Sequence, residues 1–292
     1  MRLLLVDGHA YAYRVFHAIR GLRGADGRPT NAIYGFIKTV NRLCAALKPS
    51  HVAVVWDGGL AAERVAALPQ YKAQRPPMPE ALAQQLDGIV AWLRAAGIAS
   101  CRQDGVEADD WIAALARQAE AAGWNVLIAS SDKDFMQLVS ERVGLVNPGD
   151  KTETVWTAEQ VRNKTGVSPS QVVDWLSLVG DSVDNIPGVP GVGPKTAAEL
   201  LGEFASVAGL YGRLAEVKSE RVRAALTAAA ADVSRNQVLV RLKTDVAGAF
   251  SPDELTVRAP AAETLRELYA NWGFRSLLAD LGPPVPAQGC LL

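Results

Sequence analysis

The chain has 292 residues, 49% of them hydrophobic and 21% charged, enough to bury a full core in one large domain with a smaller appended module. The formal net charge is −1, and no apolar run approaches the ~18 residues that span a bilayer, so a membrane-spanning helix is excluded. The start, Met1-Arg2 and then Leu3 to Val6, is too short for a signal peptide, and Cys44, Cys101 and Cys290 are too scattered to form a metal-ligand pair; a reduced, cytoplasmic protein is expected.

Leu3 to Val6 reads as a short buried strand. Asn31 to Leu47 has helical spacing, with Ile33, Phe36, Ile37, Val40 and Leu43 on one face, and Pro49 stops it. Val52 to Trp56 is a second strand. Gly58 to Pro79 lacks clean periodicity and reads as a mobile segment. Ala81 to Ala96 and Asp109 to Ala122 are predicted helices, each closed by a glycine. Val126 to Ala129 and Val143 to Val146 are further strands. Helices are predicted at Ala158 to Thr165, Pro169 to Val179, Thr196 to Leu201, Arg221 to Ala231 and Ala261 to Trp272. Val238 to Thr244 reads as a returning strand or loop, and Gly282 to Leu292 as a frayed tail. Strands alternating with helices predict an α/β fold, a mostly parallel sheet flanked by helices, with a helical subdomain after it.

The acids fall at the ends of these strands. Asp7 follows the first, Asp57 the second, and Asp132 and Asp134 lie just past the third; Glu107, Asp109 and Asp110 sit where a helix begins. In an open parallel sheet the carboxyl ends of the strands share one edge, where ligands bind. Any one such Asp reads equally well as a helix N-cap; all four segments together do not. Two carboxylates ~4 Å apart at an effective dielectric of ~20 repel by roughly 4 kcal/mol, so the cluster must take up protons or cations. Oxygen-only ligands suit Mg²⁺ or Mn²⁺, and two such ions can activate water and stabilise the leaving oxygen of a phosphodiester. His9, His17 and His51 are isolated and form no zinc set.

From Asp184 to Thr196 the chain reads DNIPGVPGVGPKT. Gly188, Gly191 and Gly193 let backbone N–H groups approach a ligand, the next helix aims its N-terminus there, and Lys195 and Thr196 follow. This is a sequence-blind phosphate grip of the helix-hairpin-helix kind. It nearly spells a Walker A loop, but Pro194 intervenes and a helix precedes it rather than a strand. Asp181 and Asp184, just before it, bring the acids to nine. Without those nine, 31 − 9 = 22 acids remain against 30 Lys plus Arg, a basic body around an acidic hole, which suits a polyanionic substrate.

These motifs resemble the 5′ nuclease (flap endonuclease) family, found at the N-terminus of bacterial family A DNA polymerases and in free-standing forms. The likeness runs from Leu3 to about Leu281. It rests on Val6-Asp7-Gly8, Tyr71-Lys72 through Arg75-Pro76-Pro77-Met78-Pro79, Glu107-Ala108-Asp109-Asp110, Asp132-Lys133-Asp134 and Gly180 through Gly193. The resemblance implies a PIN/FEN-like sheet and a helix-hairpin-helix subdomain. It implies metal-site roles for Asp7, Asp57, Glu107, Asp109, Asp110, Asp132 and Asp134, with Asp181 and Asp184 completing a second metal. It makes Gly58 to Pro79 an arch threaded by a 5′ end, with Arg64, Lys72 and Arg75 as catalytic cations. Tyr71, Gly188, Gly191, Gly193, Lys195 and Thr196 would contact DNA, and the hairpin could hold K⁺. Two departures stand out: Gly58 to Glu63 lacks the usual lysines and phenylalanine, and His9 replaces a serine.

The implied domains are a catalytic domain 1–165 with the arch at about 58–80, a hairpin subdomain 166–250, a return segment 251–281 and a tail 282–292. The implied activity is Mg²⁺- or Mn²⁺-dependent 5′→3′ exonuclease and flap endonuclease cleavage in replication and repair. Partners would be DNA with 5′ flaps, nicks and branched duplexes, taken by a monomer away from membranes. No polymerase sequence follows, so a free-standing nuclease is expected. Two alternatives are a non-catalytic DNA-junction binder, which would gain nothing from nine clustered acids, and a PIN-like ribonuclease, which needs no duplex grip.

Overall fold

In the computed structural model, which describes residues 1–147, 154–246 and 252–283, the chain alternates strand and helix in its first half. Strand β1 (Arg2–Asp7) leads directly into helix α1 (Gly8–Ala18), then α2 (Asn31–Leu47), β2 (His51–Trp56), α3 (Ala62–Ala67), α4 (Glu80–Ala95), β3 (Ala99–Arg102), α5 (Ala108–Ala121), β4 (Asn125–Ala129), β5 (Val143–Val146) and β6 (Val155–Trp156). The strands form one sheet ordered β3-β2-β1-β4-β5-β6, parallel except for β6, which runs antiparallel to β5. The chain leaves β1 toward β2 on one side and reaches β4 on the other, so the switch in strand order falls at β1, where open α/β sheets bind ligands.

Both faces of the sheet are covered, as an all-apolar central strand requires. Leu3 and Leu5 of β1 face a core shared with Ile112, Leu115 and Ala116 of α5. Leu4 and Val6 face the opposite core, with Tyr11 of α1, Phe36 and Ile37 of α2 and Ile89 and Trp92 of α4. Successive side chains of a strand point to opposite faces, so one four-residue run, Leu3 to Val6, supplies both cores.

The second half is helical: α6 (Ala158–Thr165), α7 (Val172–Val179), α8 (Pro194–Phe204), α9 (Val207–Gly212), α10 (Glu220–Ala228), α11 (Ala230–Val240), α12 (Ala262–Trp272) and α13 (Arg275–Asp280). The first core runs on through Leu176 and Leu178 of α7 into Leu200, Leu201 and Phe204 of α8. Helices α12 and α13 return to the other face, where Leu265, Tyr269 and Leu277 pack against α4 and α2.

Several expectations change. Helix α1 was not expected, and the strands β3 and β6, of four and two residues, are too short to stand out in the sequence. Arg221 to Ala231 is two helices, broken at Ala229. Of Val238 to Thr244, residues 238–240 end α11, with Leu239 and Val240 buried in the helical core, while 241–244 are loop, the alternative to a strand. The stretch 58–79 is no open loop; it folds a helix, α3, and a turn down onto the sheet edge. The expected tail falls mostly outside the described residues.

Candidate metal and phosphodiester site

The acids predicted from strand ends converge at the carboxyl edge of the sheet, and the same carboxylates that cap local structure face one another. Asp7 Oδ1 accepts from the N–H of Ala10 (3.0 Å), capping α1, while its Oδ2 accepts from the Ser130 hydroxyl (3.0 Å) just beyond β4. Asp57 Oδ1 accepts from the N–H of Ala108 (3.1 Å) and so caps α5 from another segment. Asp132 Oδ1 accepts from the N–H of Asp134 (2.9 Å), opening the 3-10 helix Lys133–Leu138. Capping and clustering are thus one arrangement: each cap holds its carboxylate at the edge.

Electrostatically the cluster is strained. Burial pushes Asp7 up to about 6, and the neighbouring charges of Asp132 and Asp57 add to the rise. Burial, then Asp132, Asp7 and Asp57, raise Asp109 well above the carboxylate range. Burial, then Asp132, Asp184 and Asp181, do the same to Asp134. Asp132 is raised by burial, with Asp184 and Asp181 contributing. Seven acids, Asp7, Asp57, Asp109, Asp132, Asp134, Asp181 and Asp184, therefore act on one another.

Glu107 and Asp110 stand apart from those seven. Asp110 accepts two hydrogen bonds from Arg64 (2.6 and 2.8 Å) and one from the N–H of Lys243 (2.9 Å). Glu107 accepts from Arg64 (3.0 Å), the N–H of Ala61 (3.2 Å), the Tyr71 hydroxyl (3.2 Å) and the Lys72 ammonium. Burial alone would raise Glu107; Lys72 and Arg64 outweigh it and hold it below its usual range. These two acids anchor the 58–79 segment.

The predicted arch residues are placed accordingly. Arg64 is 3% exposed. Its Nε donates to the carbonyl of Leu239 (3.1 Å), Nη1 to Glu107 and Asp110, and Nη2 to Asp110 and the carbonyl of Arg241 (3.0 Å). That uses all five donors of a guanidinium and leaves none for a substrate. Tyr71 is buried, its hydroxyl committed to Glu107. Lys72 is also buried, in the left-handed region at φ 54°; its ammonium lies on Glu107 and 3.8 Å from Asp184. A solvated surface charge would not be so held. Arg75 is partly exposed and pairs with Asp184 at 2.5 Å. Lys133 pairs with Asp181 at 3.1 Å. Sequence reasoning gave no role to Lys133, whose place inside Asp132-Lys133-Asp134 was the available signal. His9 accepts the N–H of Asp57 at Nδ1 (3.2 Å) and sets its ring edge-on to Trp56; burial lowers it.

Among the described residues, no three Asp, Glu, His or Cys side chains are drawn together closely enough to hold a metal ion. Repulsion and the ammonium and guanidinium groups of Lys72, Arg75 and Lys133 account for that spread. The residues nonetheless fit a divalent ion. Asp134 Oδ1 is buried without any hydrogen-bond partner, the donors are all oxygen, and burial and mutual repulsion favour proton uptake where no cation intervenes.

The hairpin closes the site from the helical side. Helix α7 ends at Gly180 (φ 77°), where a Cβ would strike the Gly188 nitrogen at 2.4 Å; at Gly188 a Cβ would strike the Val179 carbonyl at 2.1 Å. Only glycine fits at either position. Asp181 and Ile186 exchange backbone hydrogen bonds (2.8 and 2.7 Å), folding the turn that carries Asp184. Helix α8 begins at Pro194 with Gly193 as N-cap and no side-chain cap, so its first N–H groups face outward beside the exposed Lys195 and half-buried Thr196.

Two family models cover most of the chain: the 5′-3′ exonuclease N-terminal resolvase-like domain matches residues 2–166, and the 5′-3′ exonuclease C-terminal SAM fold matches 167–263. The chain belongs to the 5′-3′ exonuclease family. It is 38% identical over 279 residues to a 5′-3′ exonuclease of Aquifex aeolicus, covering 96% of this chain and 94% of that protein. It is 39% identical over 290 residues to the thermostable DNA polymerase I of Thermus thermophilus; there the match covers 98% of this chain but 34% of the polymerase. Among solved structures, the bacteriophage T5 D15 flap endonuclease, in a pseudo-enzyme-product complex with DNA and metal ions, aligns with TM-score 0.70 at 21% identity over 96% of this chain and 98% of that one. That likeness establishes the fold: a mostly parallel sheet with a helical subdomain, as in the 5′ nucleases.

Proposed function

We propose that the protein is a metal-dependent, structure-specific 5′ nuclease that hydrolyses DNA phosphodiester bonds near 5′ ends and branch points, as 5′→3′ exonuclease and flap endonuclease. One observation carries the reading: acids from separate segments are forced together at the β1 switch point, with a buried Asp134 oxygen left unpartnered. Asp7, Asp57, Asp109, Asp132 and Asp134 would hold one Mg²⁺ or Mn²⁺, and Asp181 and Asp184 a second. When bound, such ions supply an activated water and stabilisation of the leaving oxygen. Glu107 holds Lys72 over the acids, and Asp184 holds Arg75; these two cations are placed to stabilise charge developing on a phosphate. Gly193, the start of α8 and Lys195 grip duplex phosphates without reading bases, and K⁺ is a candidate ligand of the hairpin carbonyls. A monomer working in the cytoplasm on DNA flaps and nicks is the corresponding biological form.

A 5′-labelled flap duplex incubated with and without Mg²⁺ tests this directly. Cleavage near the junction that EDTA abolishes is the expected result; undiminished cutting in EDTA would sink the metal assignment.

A further inference from the structure

Lys133 stands between two groups of acids. It lies in sequence between Asp132 and Asp134, and its ammonium is 3.1 Å from Oδ1 of Asp181, on the turn after α7. Among the described residues Asp181 has no other ion pair. Local structure does not account for a lysine here. It opens the 3-10 helix Lys133–Leu138, and a cation is unfavourable at a helix N-terminus. Nor does the lysine orient Asp181, whose Oδ1 also accepts the N–H of Val183 (2.9 Å) within its own turn. What the lysine supplies is charge. Asp181 adds to the repulsion that raises Asp132 and Asp134, and Lys133 offsets that rise at Asp134. Its mobility also sets it apart from Lys72. The Lys72 side chain is 4% exposed and fixed by Glu107, whereas that of Lys133 is 36% exposed. A compact ammonium on a flexible four-carbon stem can pass from such a place into water.

We propose that Lys133 is the internal counter-cation of the second metal site: its ammonium neutralises Asp181 until a divalent ion takes that carboxylate, and then withdraws to solvent. Loading of the second site is therefore an exchange of one cation for another. This rests on reading Asp181 and Asp184 as ligands of that ion. At Asp184 the neighbouring Lys72 is itself held by Glu107, so withdrawal is open to Lys133 and not to Lys72. The lysine keeps the acids partly paired without an ion, and it weakens the second ion's binding, because that ion must first displace it. The first ion, on Asp7, Asp57, Asp109, Asp132 and Asp134, has no such competitor at Asp181 and feels Lys133 only through its field.

Mn²⁺ titrated into the full chain without DNA, with the free ion followed by electron paramagnetic resonance, tests the exchange apart from catalysis. The parent should bind two ions, the second more weakly. Lys133→Met should tighten the second by about tenfold, between what exposed and buried ion pairs are worth, and the first by no more than about twofold. Lys133→Gln, which keeps a polar end, should do the same. In EDTA both variants should melt below the parent, because Asp181 loses its counter-charge, and saturating Mn²⁺ should raise their melting points by more than it raises the parent's. Asp181→Asn should lose the second ion, and adding Lys133→Met to it should then change nothing. A second affinity that is unchanged or weaker in both Lys133 variants overturns the exchange. Equal tightening of both ions overturns it as well, since Lys133 would then act only as a general charge. A single ion, or none, bound by both the parent and Lys133→Met would instead remove the second-site reading and this proposal with it.

Discussion

Glu107 and Asp109 lie two residues apart at the start of one helix, yet their surroundings drive them in opposite directions. Glu107 meets Lys72 and Arg64 and is held charged; Asp109 meets Asp132, Asp7 and Asp57 and is driven toward protonation. Burial opposes the charged form of both, so it does not discriminate between them. What differs is whether the chain supplies its own counter-charge. An acid neutralised from within serves the fold; an acid left to repel its neighbours is available to an external cation.

The sharpest way to break this comparison is to neutralise each kind in turn. Asp134→Asn should lower single-turnover cleavage by about 10³-fold, the size of effect expected when electrostatic stabilisation of a transition state is removed. In EDTA the same variant should melt higher than the parent, by a few degrees for each ~1 kcal/mol of repulsion relieved. A parent-like cleavage rate, or a lower metal-free melting point, would place Asp134 among the structural acids.

Glu107→Gln should behave oppositely. It leaves Lys72 and Arg64 buried beside a neutral amide, and removing one partner of a buried ion pair costs about 3–5 kcal/mol. Urea denaturation in EDTA is the measurement; stability equal to the parent's would mean that Glu107 is not an anchor.

Sequence legibility divides along the same line. The strand-end acids could be read because a strand's end and a parallel sheet's edge are local and topological facts. Helix α2, predicted at Asn31 to Leu47, spans those residues because its apolar stripe is long and regular. The fate of Glu107 and Asp110 could not be read, since it depends on Arg64 and Lys72, more than thirty positions away. The 58–79 segment looked unstructured for the same reason: its order comes from ion pairs rather than periodicity. Helix α1 was missed because it starts at Gly8, pressed on Trp56 where a Cβ would sit 2.6 Å from the ring, and glycine is a poor helix former.

The pH dependence of metal-free stability gives a smaller, signed test. The folded pKa of Asp7, about 6, lies above its ordinary 3.8. The associated stability is therefore complete below about pH 4 and is lost as pH rises toward 6, by up to ~3 kcal/mol at 1.36 kcal/mol per unit. Glu107 is lowered from 4.5, so its contribution is present above that value and lost as pH falls. Melting curves in EDTA should thus show stability dropping between about pH 4 and 6. Asp7→Asn, which still caps α1, should flatten that drop, whereas Glu107→Gln should leave it in place. A drop unchanged in Asp7→Asn would assign the titration to other members of the cluster.

The hairpin offers the smallest effect and extends the comparison from acids to glycines. Gly188 packs against Val179 and Gly191 holds φ 80°, so both serve the fold. A Cβ at Gly193 would meet nothing within 4 Å, and its backbone is in the ordinary extended region at φ −90°. Internal packing therefore gives no reason for glycine there, whereas the proposed close approach of a phosphate would. Gly193→Val should leave the melting point near the parent's while weakening binding to blunt duplexes of different sequence equally. Lys195 is exposed at the same helix start, and Lys195→Ala should weaken binding more mildly. It should also reduce the slope of log affinity against log salt by about one unit, because one fewer phosphate is neutralised and about one fewer counterion released. An unchanged slope would remove Lys195 from the phosphate grip, and weakening confined to certain sequences would mean that the hairpin reads bases. If Gly193→Val instead lowered stability while sparing affinity, Gly193 would join Gly188 and Gly191 as a glycine of the fold, and the grip would narrow to the first N–H groups of α8.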